Sequence, residues 1–229
     1  MCGRFTLTAT PEALNQLFPS LFDNLELMPQ YNVAPSQDVL AVRLRRGSIE
    51  PEAVRMRWGL VPSWADDPKI GYRLINARVE SVRDKPAFRA AFKQRHCLIL
   101  ADGFYEWQKL PRHKQPYHLR LKSGRPFAFA GLWETWHRDD QSVRSCTILT
   151  TEPNELARQV HDRMPVMLSP EHYQHWLDAR VSGTDEPSAY LGPYPAEEME
   201  AIAVDSRVNS PRNNDAACLR PVSSQGLLF

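Results

Sequence analysis

Short segments in which apolar and polar residues alternate recur along most of the chain, and this alternation predicts β-strands. Residues 3–8 show it clearly, with Phe5 and Leu7 on one face and polar residues on the other. Residues 97–101 are instead continuously apolar, which is typical of a strand covered on both faces. The predicted strands cover residues 3–8, 39–44, 53–61, 74–79, 97–101, 117–122, 127–133, 144–150, 165–168 and 201–204.

Apolar residues at helical spacing predict only a few helices, all of them short. Thr10 followed by Pro11 is typical of an N-cap with proline at the first helical position. Thr151 is a candidate cap for a later helix. The predicted helices cover residues 11–18, 84–94, 153–160 and 170–179. Because strands outnumber helices and do not alternate regularly with them, we expect an α+β fold with a mainly antiparallel sheet.

The bulk composition indicates a folded protein outside the membrane. A hydrophobic fraction of 42% and an aromatic fraction of 10% suit a globular chain rather than a disordered one. No apolar run approaches the roughly 20 residues needed to span a bilayer. The first residues lack the basic start and the apolar stretch of a secretory signal. We therefore expect a cytoplasmic protein without a membrane partner.

Four cysteines are spread along the chain, with no CxxC pair and no histidine at zinc-ligand spacing: Cys2, Cys97, Cys146 and Cys218. A disulfide scaffold is normally denser than this, and a zinc site is more clustered. We expect reduced thiols, no metal and no cofactor.

Charge does not identify a partner. The formal net charge is +1, and the 28 basic residues comprise 22 Arg and 6 Lys. Arginine suits bidentate contacts with phosphate better than lysine does. A GC-rich genome would produce the same excess of arginine, so both explanations stay open.

Cys2 is the most informative residue because of its position. Methionine aminopeptidases generally remove Met1 when the second residue is small, and that would leave Cys2 as an N-terminal 1,2-aminothiol. Its α-amine has an ordinary pKa near ~8, so part of it is neutral at physiological pH. The amine can attack an aldehyde to give a Schiff base, and the thiol can then close a thiazolidine ring intramolecularly. A small second residue without any function is a common alternative.

Two segments add polar groups to this chemistry. In residues 75–80 the predicted strand places Asn76 and Arg78 on one face, which suits a sugar–phosphate backbone. In residues 101–107 the apolar surroundings would raise the pKa of Glu106 and equip it for proton transfer, and Trp107 could stack on a base. Taken alone, residues 75–80 are better explained as an edge strand with a solvated face. A core aromatic cluster with a salt-bridged Glu explains residues 101–107 about as well as a functional site does.

A third segment, residues 160–165, joins a predicted helix to a predicted strand. His161 titrates near neutral pH and can move a proton during imine formation, and Arg163 could bind phosphate. A single histidine is more often structural, but this one lies among charged residues on a connecting loop, where functional groups collect.

Six segments together closely resemble the SRAP (SOS response associated peptidase) family and appear in the family's order. They are MCGRF (residues 1–5), YNVAP (31–35), RWGLVP (57–62), INARVE (75–80), ADGFYEW (101–107) and HDRMP (161–165). The resemblance covers about residues 2–222 and implies one SRAP domain over residues 1–229. It also implies a compact domain around a barrel-like, mainly antiparallel sheet with peripheral short helices and one basic groove.

The resemblance implies a sensor of abasic sites in single-stranded DNA that shields them during replication and repair. Cys2 matches the residue that forms the thiazolidine link to the ring-opened sugar, and Asn76 matches a residue that contacts Cys2 or the sugar. Glu106 matches an acid that assists ring opening and linkage, and His161 matches a proton donor. The DNA-binding positions that match are Arg4, Arg78 and Arg163 for phosphates and Pro35, Trp64 and Trp107 for bases.

The resemblance also implies a monomer, associated with the nucleoid if the source is a bacterium. Residues 109–114 are predicted to form a variable hairpin. The tail, residues 225–229, carries no obvious motif for binding a partner.

Two other functions remain open from the sequence. Cys2, His161 and Asn76 would also supply the Cys–His–Asn set of a thiol peptidase or amidase, whose activity could be limited to removing the chain's own N-terminal residue. A non-catalytic single-strand binder would use the Arg and Trp residues alone and would tolerate Cys2→Ala.

Overall fold

The computed structural model describes residues 2–178, 190–222 and 227–228 of the chain. Met1, the predicted helix end at Ala179 and most of the tail at 225–229 lie outside the described residues. Among the described residues the strands are β1 (Phe5–Leu7), β2 (Gln30–Val33), β3 (Asp38–Leu44), β4 (Pro51–Trp58), β5 (Asn76–Arg78), β6 (His96–Ala101), β7 (Gly103–Lys109), β8 (Lys114–Leu121), β9 (Phe127–Arg138), β10 (Gln141–Thr151), β11 (Met164–Pro165), β12 (Met167–Leu168), β13 (Met199–Ala203) and β14 (Leu227–Leu228).

Five of these strands close into a barrel in the order β3–β4–β10–β9–β6 and back to β3. Five is an odd number, so strand direction cannot alternate all the way round, and one pair must be parallel. That pair is β4 with β10, where Arg57 lies opposite Ser145 and Trp58 opposite Cys146. The α+β class with a barrel-like, mainly antiparallel sheet is therefore confirmed.

A second, wholly antiparallel sheet has the strand order β14–β13–β8–β7–β1–β2. It packs on the barrel through aromatic side chains. The ring of Phe5 in β1 lies 5.2 Å from that of Trp58 and 5.8 Å from that of Phe129. These contacts place the first residues of the chain against the barrel strands that carry Trp58 and Phe129.

The continuous apolar strand β6 is covered on both faces, as its sequence predicts. Cys97, Ile99 and Ala101 pack with residues of the second sheet, whereas Leu98 and Leu100 pack with the helices. The helices are α1 (Pro11–Asn15), α2 (Arg89–Gln94), α3 (Glu155–Arg158) and α4 (Tyr173–Leu177), with 3-10 turns at Pro68–Arg73, Pro170–His172, Ala196–Glu198, Ser206–Asn209 and Ala216–Leu219. In the described part of the chain, no helix is long and apolar enough to cross a membrane.

The cap of α1 is confirmed, because Thr10 accepts a hydrogen bond from the Ala13 amide at 3.3 Å and Pro11 is the first helical residue. The proposed cap of α3 is wrong. Thr151 ends β10, and the Asn154 side chain caps α3 by accepting from the Ala157 amide at 2.8 Å. Helix α2 starts at residue 89 rather than 84, because the proline at 86 disfavours a helical conformation in the residue before it.

Each predicted strand is present at least in part, but β2, β7 and β14 are missing from the prediction. Strand β4 ends at Trp58 rather than at residue 61, because Gly59 turns the chain with φ +125°. A Cβ at Gly59 would lie 2.6 Å from the carbonyl oxygen of Gly71, so glycine is required where these two backbones approach. The hairpin predicted over residues 109–114 is confirmed, with Lys109 opposite Lys114.

Candidate active site

The pairing of β1 with β7 positions Cys2. Phe5 lies opposite Phe104, and the Tyr105 amide donates to the Arg4 carbonyl at 2.9 Å. This antiparallel register carries the first residues of the chain along β7 towards Glu106. Cys2 is fully buried, and its thiol lies 3.9 Å from the Arg4 carbonyl oxygen. Burial raises the pKa of the Cys2 thiol, and the nearby charge of Glu106 raises that pKa further.

Asn76 reaches Cys2 from the barrel side. Strand β5 runs parallel to β10, with Asn76 opposite Ile148, and the Asn76 side chain points to the start of the chain. Its Nδ2 donates to the Cys2 carbonyl oxygen at 2.7 Å. Its Oδ1 is buried and accepts no hydrogen bond from any described residue. A buried acceptor of this kind normally has a partner, so this atom is available to a substrate hydroxyl or to an amine on Cys2.

Glu106 is a buried carboxyl group with a raised pKa. It lies on β7, where it is 4% exposed. Burial is the main reason that its pKa is raised to about 7. A substantial share of the carboxyl groups therefore carries a proton at neutral pH, as its apolar sequence context predicts.

His161 faces Glu106 from the loop between α3 and β11. Its Nε2 lies 4.0 Å from Oε2 of Glu106. The Arg163 amide donates to Nδ1 at 3.1 Å, so a neutral ring carries its proton on Nε2, on the side of Glu106. Asp162 Oδ1 lies 2.9 Å from Nδ1 and accepts a hydrogen bond from it when the ring is charged. Burial lowers the pKa of His161 and so favours the neutral ring.

The two arginines beside these residues differ in their contacts. Arg78 is exposed, two residues along β5 from Asn76. Arg163 binds Glu80 through two hydrogen bonds of 2.7 and 3.0 Å and donates to the Thr150 carbonyl at 2.6 Å. The Arg163 guanidinium lowers the pKa of Glu80. Arg78 thus presents its charge to solvent, whereas that of Arg163 is shared with a carboxylate.

Several contacts of Arg4 are with residues that are distant along the chain and that the sequence does not identify as its partners. Its Nη1 donates to Asn32 Oδ1 at 2.8 Å and to the Val208 carbonyl at 2.9 Å. Its guanidinium carbon lies 5.8 Å from the centre of the Trp107 ring. Trp107 in turn donates to Asn209 Oδ1 at 2.7 Å. Asn32 lies in one of the six sequence segments, but nothing local reveals partners so distant along the chain.

The remaining predicted positions lie nearer the surface. The Trp64 side chain is 58% exposed, and Pro35 is half-buried beside Ser36, which has φ +72°. Trp107 is also half-buried. Within the described residues, no group of three or more His, Cys, Asp or Glu side chains is arranged to hold a metal ion.

A family profile described as SOS response associated peptidase (SRAP) matches residues 1–211. The chain is 47% identical over 223 residues to the abasic site processing protein YoaM of Bacillus subtilis, covering 96% of this chain and 97% of that protein. It is 30% identical to the abasic site processing protein YedK of Escherichia coli, covering 97% of this chain and all of that protein.

Among solved structures, a protein from Bacteroides thetaiotaomicron matches with a TM-score of 0.82 and 23% identity, covering 96% of this chain and 100% of the other. This likeness supports the fold. The profile and the two relatives also support membership of the family, because each match extends over nearly the whole chain. The chain therefore belongs to the SRAP family.

Proposed function

We propose that this protein processes abasic sites in single-stranded DNA by linking them covalently to Cys2. The convergence of Cys2, Asn76, Glu106 and His161 from four separate parts of the chain is the observation that carries the proposal. The names of the family relatives, abasic site processing proteins, agree with it.

The proposed reaction begins when Met1 is removed. In the translated chain the Cys2 nitrogen is an amide and cannot add to an aldehyde, whereas the processed chain has an α-amine there. The amine adds to the aldehyde of the ring-opened deoxyribose, and loss of one water gives an imine. The thiol then adds to the imine carbon, and its proton passes to the nitrogen, which closes the thiazolidine ring. One water is released per adduct.

The neighbouring side chains supply protons and orientation. Glu106, with a pKa of about 7, donates a proton to the hydroxyl that leaves as water and recovers one from the iminium nitrogen as the imine forms. The neutral His161 lies 4.0 Å from it and can relay that proton. Asn76 holds the Cys2 carbonyl at 2.7 Å and so fixes the direction of the amine. Arg78 and Trp64, both exposed, contact the phosphates and bases beside the lesion.

A thiol peptidase or amidase is the competing function, and limited removal of the chain's own first residue is its narrowest form. A hydrolase of this kind needs a thiolate formed beside a base. Burial raises the pKa of the Cys2 thiol instead, and no hydrogen bond joins its sulfur to His161 in the described structure. Both observations favour a mechanism in which the amine reacts first.

The test mixes the protein with a single-stranded oligonucleotide carrying one abasic site and with an intact control. We expect a heat-stable adduct with the abasic strand only, whose mass is the sum of protein and strand minus one water. Cys2→Ser keeps the amine but lacks the thiol, so its imine should survive denaturation only after borohydride reduction. Cys218→Ser alters another buried cysteine and should behave as the parent does.

Extending the processed terminus by one residue that is not cleaved should abolish the adduct, because it removes the amine from Cys2. An adduct that forms at full rate in Cys2→Ala would overturn the proposal. Turnover of peptides in trans, lost in Cys2→Ala and without any adduct, would establish the hydrolase instead.

A further inference from the structure

A large cavity lies at the opposite end of the barrel from Cys2. Its volume is about 860 Å³, within the range of ligand-binding cavities, and its walls come from the ends of β3 and α2, the start of β6 and the middle of β9. Asn76 pairs with the second half of β10 at Ile148, whereas the cavity includes Arg144 in the first half. Four residue steps of extended strand lead from Arg144 to Ile148, which places the cavity on the order of 14 Å from Asn76.

The cavity concentrates positive charge. Two carboxylates line it, Glu134 and Asp178, against six basic side chains: Arg43, Arg45, Arg46, Lys93, Arg95 and Arg144. The carboxylates of Glu50 and Glu52, just outside, pair with Arg45 and Arg43. The excess is therefore two positive charges when these are included, in a chain whose net charge is only +1.

Two of the basic side chains form a fixed wall. Arg43 Nε lies 2.8 Å from Glu52 Oε1, and its guanidinium covers the Trp133 ring at 4.3 Å. Arg95 Nη2 lies 2.6 Å from Glu134 Oε2, and both side chains are largely buried. These ion pairs fix the shape of the cavity wall. Because Arg43 and Arg95 are paired with carboxylates, the unpaired positive charges belong to side chains at the mouth.

Three basic side chains at the mouth make no ion pair with another described residue. They are Arg46 in the turn between β3 and β4, Lys93 on α2 and Arg144 on β10, and all three are exposed. Three different elements thus bring unneutralised charges to one opening. Convergent charges of this kind raise the local concentration of anions and suit phosphate groups spaced along a polymer.

We propose that this cavity is a second binding site for the phosphate backbone of a nucleic-acid strand, remote from Cys2. The inference rests on the proposed function, which brings such a strand to the molecule. At about 3.4 Å per nucleotide, a strand held at Cys2 needs on the order of 4 nucleotides to reach the cavity. The second site holds the strand on one side of the lesion and does not take part in the chemistry.

The experiment compares two double variants that lose the same charges. Arg46→Gln with Lys93→Gln removes two charges from the mouth, whereas Lys122→Gln with Arg125→Gln removes two exposed charges that line neither site. Anisotropy titrations across salt concentrations use an intact single strand of about 30 nucleotides, long enough for both sites. We expect the cavity variant to bind more weakly, with a salt slope smaller by about 1.4, or about 0.7 for each lost contact.

The control variant should bind as the parent does, and Arg144→Gln should reduce the slope in the same direction as the cavity variant. Adduct formation with an abasic strand of about 5 nucleotides, with the lesion at its centre and too short to reach the cavity, should proceed at the same rate in all of them. Equal salt slopes for the two double variants would overturn the second site. Binding of a nucleoside triphosphate that the cavity variant loses, with strand binding unchanged, would overturn its assignment to a strand.

The two proposals fail separately. If the parent protein forms no adduct, the proposed function is contradicted, yet the long intact strand still tests the cavity. If the adduct forms normally and the cavity variant matches its control, only the second site is excluded.

Discussion

The chemistry proposed for Cys2 needs two neighbouring groups in opposite protonation states. The α-amine must be neutral to attack, and its ordinary pKa is near ~8. Glu106 must be protonated to donate, and burial raises its pKa to about 7. Each group is therefore in the required state for only part of the molecules near neutral pH, which gives the reaction a defined pH dependence.

We expect the rate of adduct formation to follow a bell-shaped curve with its maximum near pH ~7.5, the mean of the two pKa values. The rate rises as the amine loses its proton and falls as Glu106 does. Glu106→Gln should be slower throughout and should lose the fall at high pH, because glutamine has no proton to lose. Single-turnover rates from about pH 5 to 9 measure this, and a fall at high pH that persists in Glu106→Gln would contradict the assignment.

Glu106 also makes the fold less stable as the pH rises. Its pKa is about 7 in the folded chain against an ordinary value of 4.5, so between these values the folded chain binds more protons than the unfolded one. The free energy of unfolding therefore decreases through this window, by up to roughly 3 kcal/mol.

Glu106→Gln removes this dependence. We expect the variant to gain stability relative to the parent between about pH 4 and pH 8, by up to that same roughly 3 kcal/mol. Denaturant unfolding of both proteins at the two pH values measures the change. A stability difference that stays constant with pH would show that the carboxyl group is not perturbed.

At the scale of single residues, the sequence predicts which side chains could react better than it predicts which side chains contact each other. The position of Cys2 and the apolar context of Glu106 are visible in the sequence, and the structure gives Glu106 the raised pKa. The partners of Arg4 and Arg163 are not visible. They depend on Asn32 and Glu80, which lie 28 and 83 residues away along the chain, and only the fold brings them together.

At the scale of elements, the strand that carries Cys2 is anchored by a buried polar network. Thr6 Oγ1 donates to Asp102 Oδ1 at 2.5 Å and lies 3.1 Å from His118 Nε2, and Thr8 Oγ1 donates to Asp102 Oδ2 at 2.7 Å. Burial lowers the pKa of His118 to about 3, so the ring stays neutral. This network fixes the register of β1 against β7, and hence the position of Cys2 beside Glu106.

Gly103 leaves room for that network. A Cβ there would lie 2.0 Å from His118 Nε2, and the buried imidazole ring has little freedom to move away. We expect Gly103→Ala to destabilise the fold by about 1–3 kcal/mol and to slow adduct formation. Gly192→Ala is the matched control, because a Cβ at Gly192 would meet nothing within 4 Å. Thermal melting compares the two, and equal midpoints would contradict the packing argument.

The elements themselves were largely predictable from the sequence. Alternation locates most strands, and Thr10 with Pro11 locates the start of α1. Strand β7 is not predicted, because Phe104, Tyr105 and Glu106 are all buried and the segment shows no alternation of apolar and polar residues. The cap of α3 was misplaced because Thr151 and Asn154 are both good caps, and only the length of β10 decides between them.

At the scale of the whole molecule, Asn32 joins the first strands to the last turns. Its Nδ2 lies 3.2, 3.0 and 2.7 Å from the carbonyl oxygens of Val208, Ser210 and Asn213, and its Oδ1 accepts from Arg4. One buried side chain thus links three carbonyls of the segment 208–213 to β2 and to Arg4.

Asn32→Ala should therefore destabilise the protein by roughly 2–4 kcal/mol, since the four hydrogen bonds of this buried side chain are lost. For a chain of this size that lowers the melting temperature by roughly 5–15 °C. Adduct formation should also slow, because Arg4 loses a partner. Asn24→Ala, at an exposed asparagine, is the control. If both variants melted together, Asn32 would not have the anchoring role described.

The closure of the barrel could not be predicted from the sequence. Alternation shows that strands form, but it does not show that β4 and β10 pair in parallel. Nor does a net charge of +1 reveal that six basic side chains line one cavity, because their positions depend on three elements meeting. The barrel-like sheet is implied by the family resemblance and not by the residue patterns alone.

The bond from Arg4 to the Val208 carbonyl spans 204 residues and has a consequence for biosynthesis. A ribosome delivers the first residues early and the turns at 206–219 about 200 residues later. While the chain is being made, the segment that carries Cys2 lacks the partners that anchor Arg4. Until residue 208 has been made, a nascent chain is therefore not yet assembled for reaction with cellular aldehydes, and the site matures only after that segment has folded.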